Sequence, residues 1–402
     1  MEKSKIVNRL AIEGGEPVRS TPLPYGRQWV DEEDIQAVVD ILRSDWLTTG
    51  PKVQEFEEAI AAYTGAKYAV AVSSGTAALH AAVYATGIGP GDEGIVPAMT
   101  FAATANAVVF QGGMPVFVDV DSDTLLLDPS QVEAKITPRT KAIIAVDYAG
   151  QPCDYDRLRD IAYRHDLTLI ADACHALGAT YKGRKVGALA DLNIFSFHPV
   201  KHITTGEGGM ITTDDSELAQ RMNVFRNHGI TADHHQRTEK GSWFYEMVDL
   251  GYNYRLTDFQ CALGLSQLRK LKGWIDRRQE IAQRYDAAFS QMPAVNPLAV
   301  REDVSHAFHL YVVRLDLSQL KTTRDQIFSA LRAEGIGVNV HYIPIHLHPF
   351  YREHFHTGIG LCPVAEATYE RVVSLPIFPH MSDKDIEETI AAVGKVVEVY
   401  LI

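Results

Sequence analysis

The pattern that most constrains the fold is an alternation of short apolar runs with segments of helical periodicity between residues 68 and 213. The runs are rich in β-branched residues, which predicts strands. Helical patterns such as 75–86 and 155–164 separate them, and this alternation favours an α/β fold with a mostly parallel sheet that is covered on both faces. The predicted strands are residues 68–74, 94–101, 115–120, 141–147, 167–173, 192–197 and 209–213.

The later part of the chain has a different pattern. A proline-free helical stretch, residues 257–289, predicts one or two linking helices. Beyond it we predict strands at 309–315 and 337–341 and helices at 323–334 and 383–397. The 402 residues favour two to three domains at roughly 150 residues each. We therefore predict an N-terminal arm (1–30), a large domain that includes the linking helices (31–290) and a smaller C-terminal α+β domain (291–402).

Charge and cysteine content exclude several classes of protein. Lys and Arg total 38 against 51 Asp and Glu, and the net charge of −13 repels nucleic acid and anionic membranes. No apolar run is long enough to predict a membrane span, and the first twenty residues lack the apolar core of an export signal. The four cysteines form no C-x-x-C pair, so we predict neither a disulfide framework nor a cysteine zinc site. A cytoplasmic protein is expected.

The most specific segment is SFHPVKHITTGEGGM, residues 196–210, where a predicted strand runs into a loop that carries Lys201 and a glycine cluster. A lysine amine forms a Schiff base with an aldehyde cofactor when its pKa is lowered by desolvation or by nearby positive charge. A loop lysine is ordinarily a solvated surface cation, so Lys201 alone does not predict a Schiff base and other residues are needed to support that role.

Three other positions supply that support. Asp172 ends a predicted strand, where a carboxylate can hold a cofactor pyridine nitrogen protonated. His175 follows and can contact the ring or its phenolic oxygen, although a packed loop histidine is an equal alternative. Residues 73–76 join a strand to a helix N-terminus, whose free amides can bind phosphate or can simply be capped by serine.

With these residues in place, the sequence resembles the DegT/StrS-type sugar aminotransferases, a family of pyridoxal-phosphate enzymes with the aspartate-aminotransferase fold (fold type I). The resemblance extends over nearly the whole chain, and the motifs occur in the family's order. They are WLTTGPKVQEFE (46–57), SSGTAALHAA (73–82), PAMTFAATANA (97–107), DACHALGA (172–179), SFHPVKHITTGEGG (196–209), FRNHGI (225–230), GYNYRLTDFQCALG (251–264), HYIPIH (341–346) and SLPIFP (374–379).

The resemblance implies a role for each matching residue. Pyridoxal 5′-phosphate is the implied cofactor, with Lys201 as the Schiff-base lysine and proton shuttle and Asp172 as the partner of the pyridine nitrogen. His175 falls at the position that contacts the phenolate. The implied cofactor-binding set is completed by Phe101 stacked on the ring, by Gly75, Thr76 and Ser196 around the phosphate, and by Asn253 reaching across the interface of a homodimer.

Within the family, residues 146–152, 196–213 and 225–230 are most similar to members that aminate C4 of a UDP-linked 4-keto-6-deoxy-N-acetylhexosamine, UDP-2-acetamido-2,6-dideoxy-hexos-4-ulose, in pseudaminic acid biosynthesis. L-Glutamate is the implied amino donor. Residues 231–250 depart from the shortest members of this pathway. By the same resemblance the sugar-nucleotide site is lined by Tyr25, Asp45, Trp46, Leu47, Thr48, Asn253, His341, Tyr342, Ile343 and Pro344.

Other functions remain open at this point. Another UDP- or dTDP-linked 3- or 4-keto sugar is an alternative substrate, and a non-catalytic regulator that binds the cofactor is an alternative role. A family branch with histidine in place of the lysine performs dehydration; here Lys201 fills that position, and His202 has no assigned role. A nicotinamide-dependent oxidoreductase is a further alternative, but this sequence has no G-x-G-x-x-G motif at a strand-to-helix turn. The histidines within residues 341–356 suggest zinc, but proline interrupts their alternation and we predict no metal.

Overall fold

The computed structural model describes residues 9–231 and 241–402. The strands are β1 (Tyr68–Val72), β2 (Glu93–Pro97), β3 (Met114–Val118), β4 (Thr140–Val146), β5 (Thr168–Asp172), β6 (Thr180–Tyr181), β7 (Arg184–Lys185), β8 (Leu192–Ser196), β9 (Gly209–Thr213), β10 (Val295–Pro297), β11 (Val304–Ser305), β12 (Tyr311–Leu315) and β13 (Val372–Leu375). The helices are α1 (Glu32–Leu42), α2 (Pro51–Thr64), α3 (Gly75–Ala85), α4 (Ala102–Phe110), α5 (Pro129–Val132), α6 (Tyr155–Arg164), α7 (Ser216–Arg226), α8 (Asp258–Phe289), α9 (Arg324–Ala333), α10 (Pro349–Phe355), α11 (Pro363–Tyr369) and α12 (Asp383–Tyr400).

A seven-stranded sheet in the order β1-β9-β8-β5-β4-β2-β3 forms the centre of the fold. Strand β9 is antiparallel to both of its neighbours, β1 and β8, and the other pairs are parallel. Every residue of β2 and β9 is buried, as expected for strands with helices on both faces. The predicted α/β fold and its mostly parallel seven-stranded sheet are therefore confirmed.

The sheet brings the chemically interesting residues to one edge. Asp172 is the last residue of β5, Ser196 is the last residue of β8, and Ser74 follows β1 directly before α3. These strands point the same way, so their carboxyl ends meet, and this is where open α/β sheets bind ligands.

The predicted linking region is a single helix, α8, of 32 residues. Thr257 and Gln260 form a capping box at its start, which satisfies amides that the first turn leaves free. At 1.5 Å per residue the helix is about 48 Å long. Its middle turns pack Leu271 and Ile275 into the core around the large sheet, and its last turns pack Tyr285 into a second core. One rigid element therefore connects the two cores.

The second core surrounds the antiparallel sheet β10-β12-β13 and includes residues of α9 and α12. Leu10 and Leu23 of the N-terminal segment pack into it. The prediction of a strand at 337–341 is wrong, because Gly337 donates to the carbonyl of Leu23 and only a single bridge, at Asn339, pairs this segment with β13. The division into an arm and two domains stays a prediction. Within residues 9–231 and 241–402, no helix has both the length and the apolarity to cross a membrane.

Candidate active site

A cleft of about 490 Å³ opens at the carboxyl edge of the large sheet. Most of the residues that the sequence predicted for cofactor and substrate line it, although they come from distant parts of the chain. These are Tyr25, Gly75, Thr76, Phe101, Asp172, His175, Ser196, Lys201, His341 and Tyr342. Other lining residues include Ser74, Thr100, Cys174, His198, Glu207 and His309.

Lys201 lies in the loop that follows β8, and its backbone amide donates to the carbonyl of His198 at 2.9 Å. Its Nζ lies 3.4 Å from Nε2 of His309. Burial lowers the pKa of the Lys201 amine below its usual value, although Cys174 and Asp172 nearby oppose this shift. A neutral amine is the form that can act as a nucleophile or accept a proton, so the environment suits the predicted chemistry.

Asp172 is 6% exposed and is held by two donors. Thr104 Oγ1 donates to its Oδ2 at 2.7 Å, and the amide of Cys174 lies 3.3 Å from its Oδ1. The hydroxyl of Thr100 lies 2.8 Å from that of Thr104, which extends the chain of hydrogen bonds. These hydrogen bonds fix the position of the carboxyl group at the wall of the cleft.

The N-terminus of α3 forms a cradle beside Ser196. Ser74 caps the helix by accepting from the amide of Ala77 at 3.0 Å, and the first-turn amides of Gly75 and Thr76 have no partner within the helix. A Cβ on Gly75 would lie 2.8 Å from Cβ and 3.1 Å from Oγ of Ser196. The close approach requires glycine and leaves backbone amides and a hydroxyl available for an anion.

Aromatic and imidazole rings line the rest of the cleft. His175 Nε2 lies 3.1 Å from the Tyr342 hydroxyl, and burial together with the Lys201 amine holds the pKa of His175 well below its usual range. Phe101 is 60% exposed although it precedes a buried helix, so its ring is free to cover a flat ligand. The Tyr25 ring lies 5.5 Å from that of His341.

The remaining predicted residues do not line this cleft. Asn253 is exposed and forms a backbone bridge with Asn227. The predicted substrate-binding residues Asp45, Trp46, Leu47, Thr48, Ile343 and Pro344 also lie outside its lining. Thr48 bridges Thr257, close to a second cleft of about 410 Å³ that Thr49 and Arg255 line. Their roles stay predictions, as do those of the residues inside the cleft.

The histidine-rich stretch shows no metal centre: within residues 9–231 and 241–402, no three His, Cys, Asp or Glu side chains converge as ligands. His346 lies instead 2.8 Å from Glu366 and sits in a short 3₁₀ turn, not in the strand that the zinc alternative required. His202 contacts the carbonyl of Ala307 at 3.2 Å. Of the divergent stretch 231–250, residues 232–240 lie outside the described residues.

Sequence reasoning did not identify His309. This residue is 6% exposed, and its ring centroid lies 4.3 Å from that of His175. His309 begins the predicted strand 309–315, and no local pattern distinguishes it from a core histidine. Its proximity to Lys201, which is 108 positions away, is a property of the folded chain alone.

Comparisons with known proteins agree with this geometry. The model of the DegT/DnrJ/EryC1/StrS aminotransferase family matches residues 28–394. The spore coat polysaccharide biosynthesis protein SpsC of Bacillus subtilis is 46% identical over 378 residues, which are 94% of this chain and 97% of SpsC. The chain therefore belongs to the DegT/DnrJ/EryC1/StrS aminotransferase family, as the sequence motifs predicted.

Two solved structures show the same fold. The sugar aminotransferase Spr1654 of Streptococcus pneumoniae, in its PMP form, superposes with a TM-score of 0.89 at 36% identity, covering 94% of this chain and 99% of Spr1654. Spr1654 is also known in a PLP form. Helicobacter pylori PseC, an aminotransferase of pseudaminic acid biosynthesis, has a TM-score of 0.88 at 33% identity, covering 94% of this chain and all of PseC. The predictions of fold type I, of an aminotransferase and of a relation to the pseudaminic acid enzymes are confirmed.

Proposed function

We propose that this protein transfers the amino group of L-glutamate to the keto carbon, C4, of a nucleotide-linked keto-deoxy sugar. UDP-2-acetamido-2,6-dideoxy-hexos-4-ulose, as used in pseudaminic acid biosynthesis, is the substrate we favour. Family membership makes the chain a pyridoxal-phosphate-dependent aminotransferase. The relation to PseC supports the choice of sugar, and the name of SpsC places that relative in polysaccharide biosynthesis.

The observation that carries the proposal is that one cleft holds an amine of lowered pKa, a fixed carboxylate and a glycine-lined helix N-terminus. When bound, pyridoxal phosphate supplies an aldehyde that condenses with amines and a ring that withdraws electrons. The residues present fit this cofactor. Gly75, Thr76 and Ser196 would hold the phosphate, Asp172 the ring nitrogen and Phe101 one ring face.

Lys201 then has two tasks. Its Nζ would hold the cofactor covalently in the resting protein, and as a free amine it would take a proton from the carbon of the amino donor and deliver it to the cofactor carbon that receives the amino group. Burial favours the neutral amine that this task needs. His175, whose pKa burial holds well below its usual range, stays neutral and would face the phenolic oxygen as a hydrogen-bond partner.

We further propose a homodimer in which Asn253 completes the site of the other subunit. Two features support this. Asn253 is exposed and lies outside the cleft of its own chain. The neighbouring residues Trp243, Met247 and Leu250 are 85%, 65% and 68% exposed, which is an unusual apolar surface for a lone chain. A cytoplasmic location agrees with the unpaired state of all four cysteines.

The test is to load the protein with pyridoxal phosphate, add L-glutamate and offer UDP- and dTDP-linked 4-keto and 3-keto sugars one by one. We expect an amine at C4 of a UDP-linked 4-keto sugar, identified by mass and NMR, and no product from Lys201→Ala. Product only from other nucleotide sugars favours the alternative substrates. Failure of L-glutamate to convert the bound cofactor to its amine form favours the non-catalytic regulator.

A further inference from the structure

His309 occupies an unusual place for a buried histidine. Nε2 lies 3.4 Å from the Lys201 amine, and Nδ1 is buried without a hydrogen-bond partner in the part of the chain that the structure describes. The ring packs against His175 with 4.3 Å between centroids. A phenyl ring would fill this space without the cost of desolvating two ring nitrogens. The polar contact that the imidazole gains there is the one to Lys201.

The backbone next to His309 is strained, and hydrogen bonds from neighbouring elements keep it in place. Phe308 has a φ of +46°, a left-handed conformation that bulky residues rarely adopt, and such strain persists where surrounding contacts enforce it. The amide of Phe308 donates to Nδ1 of His306 at 2.8 Å. The guanidinium of Arg278, 1% exposed, donates to the Phe308 carbonyl at 3.0 Å and to that of Ile377 at 2.9 Å.

The opposite side of the same segment is equally constrained. Ala307 and Leu310 donate to the carbonyls of Gly150 and Ala149 at 2.9 and 3.1 Å. Gly150 has a φ of +109°, and a Cβ there would lie 2.8 Å from the carbonyl of His175 and 3.0 Å from the amide of His309. The segments that carry the two histidines thus meet at a point where only glycine fits. The strained backbone at Phe308 and the close packing at Gly150 together hold His309 beside Lys201.

We propose that His309 is a positioning residue for Lys201: its Nε2 accepts a hydrogen bond from the Lys201 amine and holds Nζ where it moves the proton. This inference rests on the proposed function. Lys201 would gain one proton at Nζ from the donor carbon and pass the same proton on to the accepting carbon, while His309 remains a neutral hydrogen-bond acceptor and neither gains nor loses a proton. Burial and the neighbouring Lys201 keep the pKa of His309 well below its usual range, in agreement with that role.

The charged and titratable groups around Lys201 come from several elements. Cys174 and Asp172 raise the pKa of the amine, whereas burial lowers it. A hydrogen bond from an ammonium group to a neutral acceptor is worth enough to shift a pKa by about one unit. The groups that face the amine are Asp172, Cys174, His175, His202, His309 and His341, and His198 and Glu207 line the same cleft.

The experiment compares His309→Phe, which keeps the ring and removes the acceptor, with His309→Gln, which keeps an acceptor. In the cofactor-free protein, competitive labelling of Lys201 with acetic anhydride across pH, read by peptide mass spectrometry, gives the midpoint of the amine. In the loaded protein, stopped-flow absorbance gives the rate at which L-glutamate converts the cofactor to its amine form. His354→Gln, an exposed histidine outside the cleft, is the matched control.

For His309→Phe we expect the labelling midpoint to fall by about one pH unit and the conversion rate to fall on the order of 10²-fold. The amine thus becomes more reactive in the free protein and less effective in the reaction, a pair of changes that simple misfolding does not produce. His309→Gln should restore most of both. An unchanged midpoint or rate in the Phe variant, or a Gln variant that behaves like Phe, overturns the proposal. If the wild-type protein itself fails to convert its cofactor, the proposed function falls instead.

Discussion

The hydroxyl of Thr104 links the wall of the cleft to Asp172, and its removal has a predictable effect. Thr104 is fully buried, and its Oγ1 donates to Asp172 Oδ2 at 2.7 Å while it contacts the Thr100 hydroxyl at 2.8 Å. Thr104→Val keeps the shape of the side chain and replaces the hydroxyl with a methyl group. The carboxylate then loses the hydroxyl that donates to it in a buried site, and the Thr100 hydroxyl loses its contact.

Hydrogen bonds to charged groups contribute about 1.5–3 kcal/mol, so the free energy of unfolding of Thr104→Val should fall by about 2 kcal/mol. This is the opposite of what added apolarity alone predicts for a buried site. Urea denaturation of the cofactor-free protein at pH 7 measures the change. Thr64→Val is the matched control, since the Thr64 hydroxyl donates to the carbonyl of Ile60 within its own helix and touches no carboxylate.

The control variant should lose less than about 1 kcal/mol, because the Ile60 carbonyl keeps its helical partner. Thr104→Val should also bind pyridoxal phosphate more weakly in an absorbance titration, whereas Thr64→Val should not. Equal stability losses in the two variants, or none in Thr104→Val, would show that Thr104 does not anchor Asp172.

Three further predictions concern the cradle and two buried ionisable groups. Gly75→Ala should weaken cofactor binding at least tenfold in an absorbance titration, since the new Cβ meets Ser196. Gly89→Ala, whose new Cβ has nothing within 4 Å, should leave the affinity unchanged. Equal affinities of the two variants would contradict the role of the α3 N-terminus in binding the phosphate. Burial raises the pKa of Asp147 from 3.8 to about 7, so the folded state binds this proton more tightly than the unfolded state does. The free energy of unfolding should therefore fall as pH rises from about 4 to 7. Asp147→Asn should remove this decrease, as measured by urea denaturation. The pKa of Lys201 lies below 10.5 in the folded state, so the unfolded state binds the extra proton and the free energy of unfolding rises with pH towards 10.5. Lys201→Met should lack this rise. Parallel plots of the free energy of unfolding against pH for the wild-type protein and the variant would refute the prediction.

Much of the large sheet could be predicted because its strands are buried on both faces. Runs such as Ile143 and Ile144 in β4 are apolar whichever way they point, so the pattern is visible without knowledge of the neighbours. The small sheet was harder. The sequence pattern predicts no strand at β13, and the strand that it predicts at 337–341 is wrong, since this backbone bonds partly to the N-terminal segment at Leu23.

The site was predictable to the extent that motifs mark the ends of strands. Asp172 and Ser196 end parallel strands, so their meeting at one edge follows from the topology. His309 could not be found in this way, because it reaches Lys201 through the strained turn at Phe308 and the packing at Gly150. Long-range contacts of this kind leave no periodic signal in the sequence.

The central claim is that the ε-amine of Lys201 is the point at which the cofactor is attached, and one measurement addresses it directly. The protein is loaded with pyridoxal phosphate, reduced with borohydride, digested and mapped by mass spectrometry. The account predicts one phosphopyridoxyl group per chain, on Lys201. The group on another lysine, or an unmodified Lys201 peptide after full loading, would contradict it.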